Sequence, residues 1–503
     1  MNSEHQSQRW QLSVKELRWV TLALPPLALV LLWFSAKVSR REKWLGTLGI
    51  PLFFLLYWSA IVWGLHIGFG IDWYEWRGGY TPAFTFAPTS PNYDAVDASR
   101  RRQRSDSTAG SPTAEISQSA YWTRFRGPNG DGVYAEVPLR TDWAKTPPRL
   151  VWTQPIGGGY GSFAVAHGKA FTIEQRRDRE VVTAYDVETG RELWAHGWEG
   201  EFRETIGGNG PRTTPTWHEG RLYALGGNGE LRCLNATDGA LVWRRDIIKE
   251  NSAPILDYGC SGSPLVVDDL VVVLPGGSGG KSVVAFNRET GERRWSVLDD
   301  RQSYVSPALI APSGERQLLV VAAKRTVGLA LADGRVLWEF QWGEPMMGRN
   351  VAQPVVWQGN RILLSAGYDV GSVAFELAKD SAGWQATESW RSKFLKNKFT
   401  SSIFWQGHIY GLDEEMLTCL DATTGERKWK DGRYGYGQLV LANGHLIILC
   451  GNGDLALVKA TPTQHEEIAR LPAIKGKTWN HPAIEGGRLL VRNAVEMACF
   501  DLR

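Results

Sequence analysis

A short pattern recurs along the second two-thirds of this chain: an Asp or Asn turn, a glycine, and a tryptophan four residues on. It reads Asp186-Val-Glu-Thr-Gly190-Arg-Glu-Leu-Trp194, then Asn235-Ala-Thr-Asp-Gly239-Ala-Leu-Val-Trp243 and Asn287-Arg-Glu-Thr-Gly291-Glu-Arg-Arg-Trp295. Ala332-Asp-Gly334-Arg-Val-Leu-Trp338 and Asp421-Ala-Thr-Thr-Gly425-Glu-Arg-Lys-Trp429 continue it. A degenerate copy ends at Trp390 after an insertion around Asp380 to Gly383, and Leu455 to Leu471 has lost both Gly and Trp. Regular self-similarity restricts the fold more than any other feature, because each copy must build the same unit and bury its apolar face on its neighbours. Two β-patterned runs precede each copy, as in Thr213–Gly220 and Arg221–Gly229. Asn228-Gly229 and Asn452-Gly453 mark type I′ hairpins at equivalent places. Each unit is therefore four antiparallel strands, one propeller blade.

The count is eight. Two residues before the Asp/Asn turn stand Ala184, Cys233, Ala285, Gly328, Ala374, Cys419, Ala456 and Cys499, all small, as close packing between blades requires. The last repeat, Thr478 to Arg503, stops after its third strand. Arg149-Leu-Val-Trp152-Thr-Gln-Pro matches a fourth strand, with Trp152 in the tryptophan place, so the ring is expected to close by strand exchange between its ends and to leave no open sheet edge. The five cysteines show no C-x-x-C spacing, which argues against a metal or thioredoxin-like motif, and three of them occupy the small-residue column of nonadjacent blades. They read as reduced, buried packing residues.

Upstream, Trp19 to Ala36 and Trp44 to Ile71 contain no Asp, Glu, Lys or Arg, and each is long enough to cross a bilayer as a helix. Pro25 and Pro26 would kink the first, which membrane helices tolerate. The loop between them carries Lys37, Arg40, Arg41 and Lys43, so the positive-inside rule makes it cytoplasmic and puts both termini outside. Residues 81 to 120 are rich in Ser, Pro, Thr and Ala and read as a flexible tether. The expected organisation is a tail (1–18), two transmembrane helices (19–71, about 19–36 and 44–71), a flexible linker (72–120), a lead-in segment (121–148) and an eight-bladed propeller (149–503). The fold class is all-β, preceded by a two-helix transmembrane hairpin. The location is the cytoplasmic (inner) membrane with the propeller periplasmic or extracytoplasmic. Net charge is +3, which gives no electrostatic case for nucleic acid.

The pattern A-x-D-x-x-T-G-x-x-x-W resembles the tryptophan-docking motif of the PQQ-binding-like β-propeller family, which includes quinoprotein alcohol dehydrogenases and BamB-like outer-membrane assembly lipoproteins. The lead-in Trp122-Thr-Arg-Phe-Arg-Gly-Pro-Asn-Gly-Asp-Gly132, with Lys396–Ser402 and Gly476–Asn480, looks like the same group. For the dehydrogenases the resemblance implies PQQ, a Ca²⁺ held by Glu and Asn, an Asp base and a vicinal cysteine pair. Here no two cysteines adjoin, and Pro275-Gly-Gly-Ser-Gly-Gly-Lys-Ser282 stands where a Glu-bearing segment is usual. That stretch also mimics a phosphate-binding loop, but a strand follows it where such a loop needs a helix. His167, His218, His408 and His445 fall at turns in separate blades.

Binding is expected at the mouth of the central channel, where the leading residues of the innermost strands converge. Those residues are Arg212, Tyr258, Tyr304, Arg349, Asn350, Lys398, Trp479 and Asn480, with Tyr160 and Tyr434 beside them. Cations among rings suit an anionic or planar ligand, or an extended peptide. The sequence thus predicts a membrane-anchored scaffold for a protein or polymer, with no catalytic or metal residues and no cofactor. The alternatives are a PQQ- or other cofactor-dependent oxidoreductase with its site at the channel mouth, and a sensory module.

Overall fold

The computed structural model describes residues 12–23, 25–69, 71–75, 78, 83–88, 90–105, 120–204, 206–342 and 350–503. They fall into two units, Met1–Glu75 with Phe84–Pro88, and Trp76–Ala83 with Thr89–Arg503. The first unit holds helices α1 (Val14–Ala23), α2 (Pro25–Phe34) and α3 (Arg40–Phe69). The first apolar stretch, expected as one kinked span, is thus two helices of ten residues each. Pro25 opens the second, because a proline lacks the N–H that an unbroken helix would need there. α3 begins at a capping box in which the Ser39 backbone N–H donates to Glu42 (2.9 Å) and the Glu42 backbone N–H donates back to the Ser39 hydroxyl (3.3 Å). Among the described residues, α3 is the one helix long and apolar enough to cross a membrane, over Arg40–His66 with mean hydropathy 1.9.

The second unit is an eight-bladed propeller of four-stranded antiparallel sheets. Blades 1 to 7 span residues 164–199, 216–246, 265–297, 308–341, 355–392, 403–433 and 438–472. Blade 8 contains Ala483–Glu485, Arg488–Arg492 and Glu496–Asp501, and its fourth strand is Arg149–Pro155. The two ends of the propeller sequence therefore share one sheet, with Cys499 facing Trp152.

The small-residue column has a direct structural cause. In every blade it faces the docking position across the outer strand pair: Ala184 opposes Trp194, Cys233 Trp243, Ala285 Trp295, Gly328 Trp338, Ala374 Trp390, Cys419 Trp429 and Ala456 Arg470. Each docking ring then reaches the following blade. A Cβ at Gly190, Gly239, Gly291 or Gly334 would lie 2.5 to 2.8 Å from the ring of Trp152, Trp194, Trp243 or Trp295, so only glycine admits the ring. The indole N–H groups of Trp152, Trp194, Trp243, Trp295, Trp390 and Trp429 donate to main-chain carbonyls of the next blade, at 2.8 to 3.2 Å. All five cysteines are free and buried, and burial pushes each thiol up to about 12, so they are inert packing groups.

The flexible tether expected over 72–120 is corrected for Tyr93–Ser105. This stretch is a helix, α4, that buries Val96, Ser99 and Arg100. Asn92 caps it by accepting from the Ala95 N–H (2.9 Å). Arg100 is 3% exposed. It donates to the Pro155 carbonyl (2.8 Å) and the Tyr185 hydroxyl (3.2 Å) and pairs with Glu192 (3.2 Å). Arg177 reaches back to Asp94 and Asp97, both at 2.7 Å. The Ser, Pro and Thr residues flanking α4 dominate the composition of the window and conceal it. α4 therefore lies against the joint where Arg149–Pro155 meets blade 1. Below it Arg492, wholly buried, donates to Thr172 (2.7 Å) and to the Gly157 carbonyl (2.9 Å). Burial opposes ionisation of Glu174, yet Arg176, Arg100 and Arg492 hold its carboxyl down at about 2.

The lead-in segment crosses the channel. The Trp122 and Thr123 carbonyls accept from Val165 of blade 1 and Trp217 of blade 2. Arg126 donates to the Ser401 and Ser402 carbonyls of blade 6, and Val133–Tyr134 pairs in parallel with Leu441–Ala442 of blade 7. Its first residue is tied to blade 8 by Glu485, which accepts from the Tyr121 N–H at 2.9 Å.

Two outcomes follow from these contacts. Arg100→Ala should cost about 1–3 kcal/mol, because the Pro155 carbonyl loses the guanidinium that donates to it while Tyr185 and Glu192 keep Arg176. A lowered melting temperature and early proteolysis within α4 are the readouts, and an unchanged melting curve would refute the packing role. Burial, with Glu136 adding to it, pushes the Glu485 carboxyl up to about 8. The folded state then holds a proton that the unfolded state has released, so stability should fall as pH rises from about 4.5 through 8. Glu485→Gln should flatten that fall in a melting-temperature series from pH 5 to 9.

Candidate functional site

Each blade starts its innermost strand at the same end of the channel, so the residues just before those strands ring one opening. There they surround an open cavity of about 930 Å³, a volume that includes solvent space at its mouth. Its wall is aromatic: Tyr160, Tyr258, Tyr304, Tyr368, Phe399 and Trp479, with Phe125 of the lead-in segment among the lining residues. Polar groups come from Arg212, Ser261, Gln353, Ser401, Gln438 and His481, and no Asp or Glu lines it among the described residues. Because the lead-in crosses the channel, the cavity is approached from one face of the ring.

The rings hold one another. Trp479 meets Phe399 at 4.8 Å and Tyr160 at 5.4 Å, and Tyr258 meets Tyr304 edge-on at 5.7 Å. Such offset and edge contacts fix ring orientation beyond what apolar burial alone would do. His481 stacks on Trp122 with its Nδ1 at 2.7 Å from the Pro482 carbonyl. Burial and the nearby Arg126 push its imidazole down to about 3, so it is neutral.

The cations behave differently from the expectation of an anion site. Arg212 stands over the rings of Phe202 (4.9 Å), Tyr160 (5.4 Å) and Tyr258 (5.8 Å). Its guanidinium donates to the Gly208 (2.9 Å) and Gly210 (2.8 Å) carbonyls and pairs with Glu204 at 3.5 Å. Lys477 donates to the Gly207 carbonyl at 2.7 Å and lies over Trp479 at 4.7 Å. The Tyr160 hydroxyl donates to the same carbonyl. These groups fasten the glycine-rich loop that joins blades 1 and 2 over the rim. Lys398 is buried among Tyr368 (4.4 Å), Tyr436 (5.1 Å) and Phe399 (6.0 Å) and donates to the Gly78 carbonyl at 2.7 Å. Burial lowers its ammonium pKa, against the pull of Glu414, Glu415 and Asp369.

Of the residues expected at the mouth, Tyr160, Arg212, Tyr258, Tyr304 and Trp479 line the cavity, and Lys398 stands beside it among its rings. Asn350 and Asn480 are buried brackets. Asn350 accepts from the Trp342 indole (2.7 Å) and donates to Ala322 (2.9 Å), while Asn480 donates to Gly161 (2.9 Å). Tyr434 turns away, its hydroxyl donating to Glu467 at 2.6 Å. Arg349 lies outside the described residues. The sequence reading omitted Tyr368, Phe399, Gln438, His481 and Phe125. Phe399 and His481 sit directly beside chosen residues, a proximity that was available as a signal. Tyr368 arrives from a hairpin in which it and Asp369 are both left-handed, and no periodicity announces that.

Comparison with known proteins is consistent with this geometry. The family described as outer membrane protein assembly factor BamB matches residues 177–431, half of the chain. The assembly factor BamB of Shewanella oneidensis is 28% identical over 158 residues, 29% of this chain and 36% of that protein. The one of Alteromonas naphthalenivorans is 22% identical over 272 residues, 50% of this chain and 62% of that protein. The chain thus spans between about a third and six-tenths of these relatives' length. Among solved structures, Moraxella catarrhalis BamB aligns with TM-score 0.51 at 15% identity, over 71% of this chain and 98% of its own. A europium-containing methanol dehydrogenase aligns with TM-score 0.55 at 12% identity, over 75% and 90%. The quinohemoprotein alcohol dehydrogenase of Comamonas testosteroni gives 0.55 at 13%, over 81% and 84%. At such identities the structural likenesses speak for the fold alone. By the extent of the family match and the recurring docking motif, this chain belongs to the BamB-type family of PQQ-like repeat propellers.

Proposed function

We propose that this protein is a membrane-tethered scaffold whose propeller, closed into a ring by strand exchange at Arg149–Pro155, holds an extended segment of a partner protein at the channel mouth. The observation that carries this reading is the wall of the cavity, with its rings, amides and hydroxyls and no carboxylate among the described residues. Rings take up side chains of many shapes, and amide and hydroxyl groups match a peptide backbone. The rim cations are turned onto main-chain carbonyls, so a strongly anionic ligand would have to break those bonds first.

The same wall does not fit a PQQ–calcium pair. Calcium requires several hard oxygen ligands, among them carboxylates, and no group of three or more His, Cys, Asp or Glu able to hold a metal occurs among the described residues. No two cysteines adjoin to form a vicinal pair. The curated relatives carry the name of outer-membrane assembly factors, and a protein-binding role agrees with that name.

The tether is α3. Lys37, Arg40, Arg41 and Lys43 flank its beginning against Arg77 alone close after its end, so the positive-inside rule sends the propeller outward whether one helix or two cross. The proposed location is accordingly a cell membrane with the propeller on its extracytoplasmic side.

Full-length protein in lipid nanodiscs, titrated with fluorescein-labelled uncharged ten-residue peptides, should show saturable anisotropy changes. Tyr258→Ala and Tyr304→Ala should each weaken binding by about five- to tenfold, the loss of one aromatic contact. PQQ with Ca²⁺ should give neither saturable tryptophan quenching nor dye-linked alcohol oxidation. Turnover with PQQ, or peptide binding indifferent to both tyrosines, would overturn the proposal.

A further inference from the structure

Three cations at the mouth share one arrangement: a charged group flat against rings, donating to a main-chain carbonyl beside or at glycine. For Arg212 the carbonyls are Gly208 and Gly210, and for Lys477 it is Gly207, all from the loop that joins blades 1 and 2. For Lys398 it is Gly78, which precedes the whole propeller sequence and belongs to no blade. Gly78 has φ +94°, a conformation natural to glycine and strained for other residues. A Cβ there would lie 2.5 Å from the Tyr436 ring and 2.9 Å from Phe399. Lys398, Tyr436 and Phe399 together thus form a niche that admits a carbonyl and an α-carbon bearing no side chain.

Lys398 pairs with Glu414 at 3.9 Å while donating to the Gly78 carbonyl at the shorter distance of 2.7 Å. Glu414 is meanwhile engaged by the Tyr436 hydroxyl at 3.0 Å. The niche thus offers a main-chain carbonyl a short bond from an ammonium that also pairs with Glu414. A desolvated ammonium bonds a neutral carbonyl more strongly than it would in water, and the surrounding ring faces favour its charge.

We propose that Lys398, Phe399 and Tyr436 form a main-chain recognition site selective for a positive-φ glycine in a peptide segment, that Gly78 is its resident occupant in this chain, and that a glycine-bearing segment of a partner competes for the same place. This deepens the reading of the mouth as a peptide site and rests on it. Because Gly78 is joined to the propeller covalently, it acts at a local concentration in the millimolar range, and a free peptide meets that competition. The chain thereby sets a threshold: weak or glycine-free segments are excluded, and a partner must present a glycine able to take a positive φ or bind at several points.

The test uses full-length protein in nanodiscs and a synthetic, labelled peptide with the sequence of residues 76–83. Gly78→Val in the protein should evict the resident and raise the affinity for this peptide about tenfold or more over the unaltered chain. The same peptide carrying valine for its Gly78 should bind neither protein. Adding Lys398→Met to Gly78→Val should abolish binding, and Lys398→Arg should restore part of it, with circular dichroism confirming that both variants fold. Equal affinity of the peptide for the unaltered chain and Gly78→Val would overturn the resident-occupant claim. Failure to bind Gly78→Val, while the tyrosine-dependent ten-residue peptides still bind, would overturn the glycine niche and leave the wider reading of the mouth standing. No binding of any peptide would remove both.

Discussion

The contact on which this propeller depends is an indole ring laid over a glycine of the next blade, with its N–H bonded to that blade's main chain. Each part of the repeat serves it. The Asp or Asn forms the turn by accepting main-chain N–H groups, as Asp186 does from Thr189 at 2.8 Å and Asn287 from Thr290 at 2.9 Å. That turn delivers the glycine to the neighbour's ring. The small residue two places earlier leaves room for the blade's own tryptophan, which faces it across the sheet. A single period of sequence thus encodes a joint on both sides, and the ring is built by repeating the joint.

Where the joint is missing, other packing replaces it. Trp338 turns its indole N–H to Gln317 of its own blade at 2.7 Å and does not reach a main-chain carbonyl of blade 5. There Phe340 stacks on Phe375 at 4.2 Å, and blade 5 lengthens its outer hairpin to Gly371–Asp380 and Gly383–Ser392. The insertion that obscures the repeat around Asp380 is therefore an extension of the sheet beside the altered joint. In blade 7 Arg470 holds the tryptophan place, pairing with Glu467 at 2.7 Å and lying over Tyr434 at 4.8 Å. Between blades 8 and 1 the Trp152 joint is kept, and the buried arginines Arg100 and Arg492 reinforce it. The joint between blades 8 and 1 thus carries buried arginines in addition to its docking tryptophan, and the discontinuity of the chain falls inside blade 8, between Glu496–Asp501 and Arg149–Pro155.

What could be read from the sequence follows from this logic. The blades, their number and the pairing partner of Arg149–Pro155 were legible because a repeated joint forces a repeated pattern, and a break in the pattern shows where a strand is borrowed. Local turn chemistry was less so. Asn228-Gly229 does end a hairpin, but Gly229 alone is left-handed, and the Gly226 N–H bonds the Glu230 carbonyl across a three-residue loop where a two-residue type I′ turn was expected. Helix α4 was hidden because its stability comes from a partner surface: Arg100 resembles any other member of a basic run until Glu192, Tyr185 and Pro155 are brought to it. The mouth was half legible. Strand-leading residues such as Tyr304 and Trp479 follow from topology, whereas Tyr368 depends on the backbone handedness of one hairpin.

The roles of the cations at the mouth depend on burial, which composition does not record. An arginine or lysine in a sequence suggests an anionic ligand, yet each of these charges is already committed to main-chain carbonyls and ring faces. That commitment has two effects. It removes the electrostatic attraction that would make the cavity a general anion trap, and it presents fixed rings whose edges and faces discriminate by shape. The carbonyls they hold, one of them on a segment outside the blades, take up donors that would otherwise face the cavity.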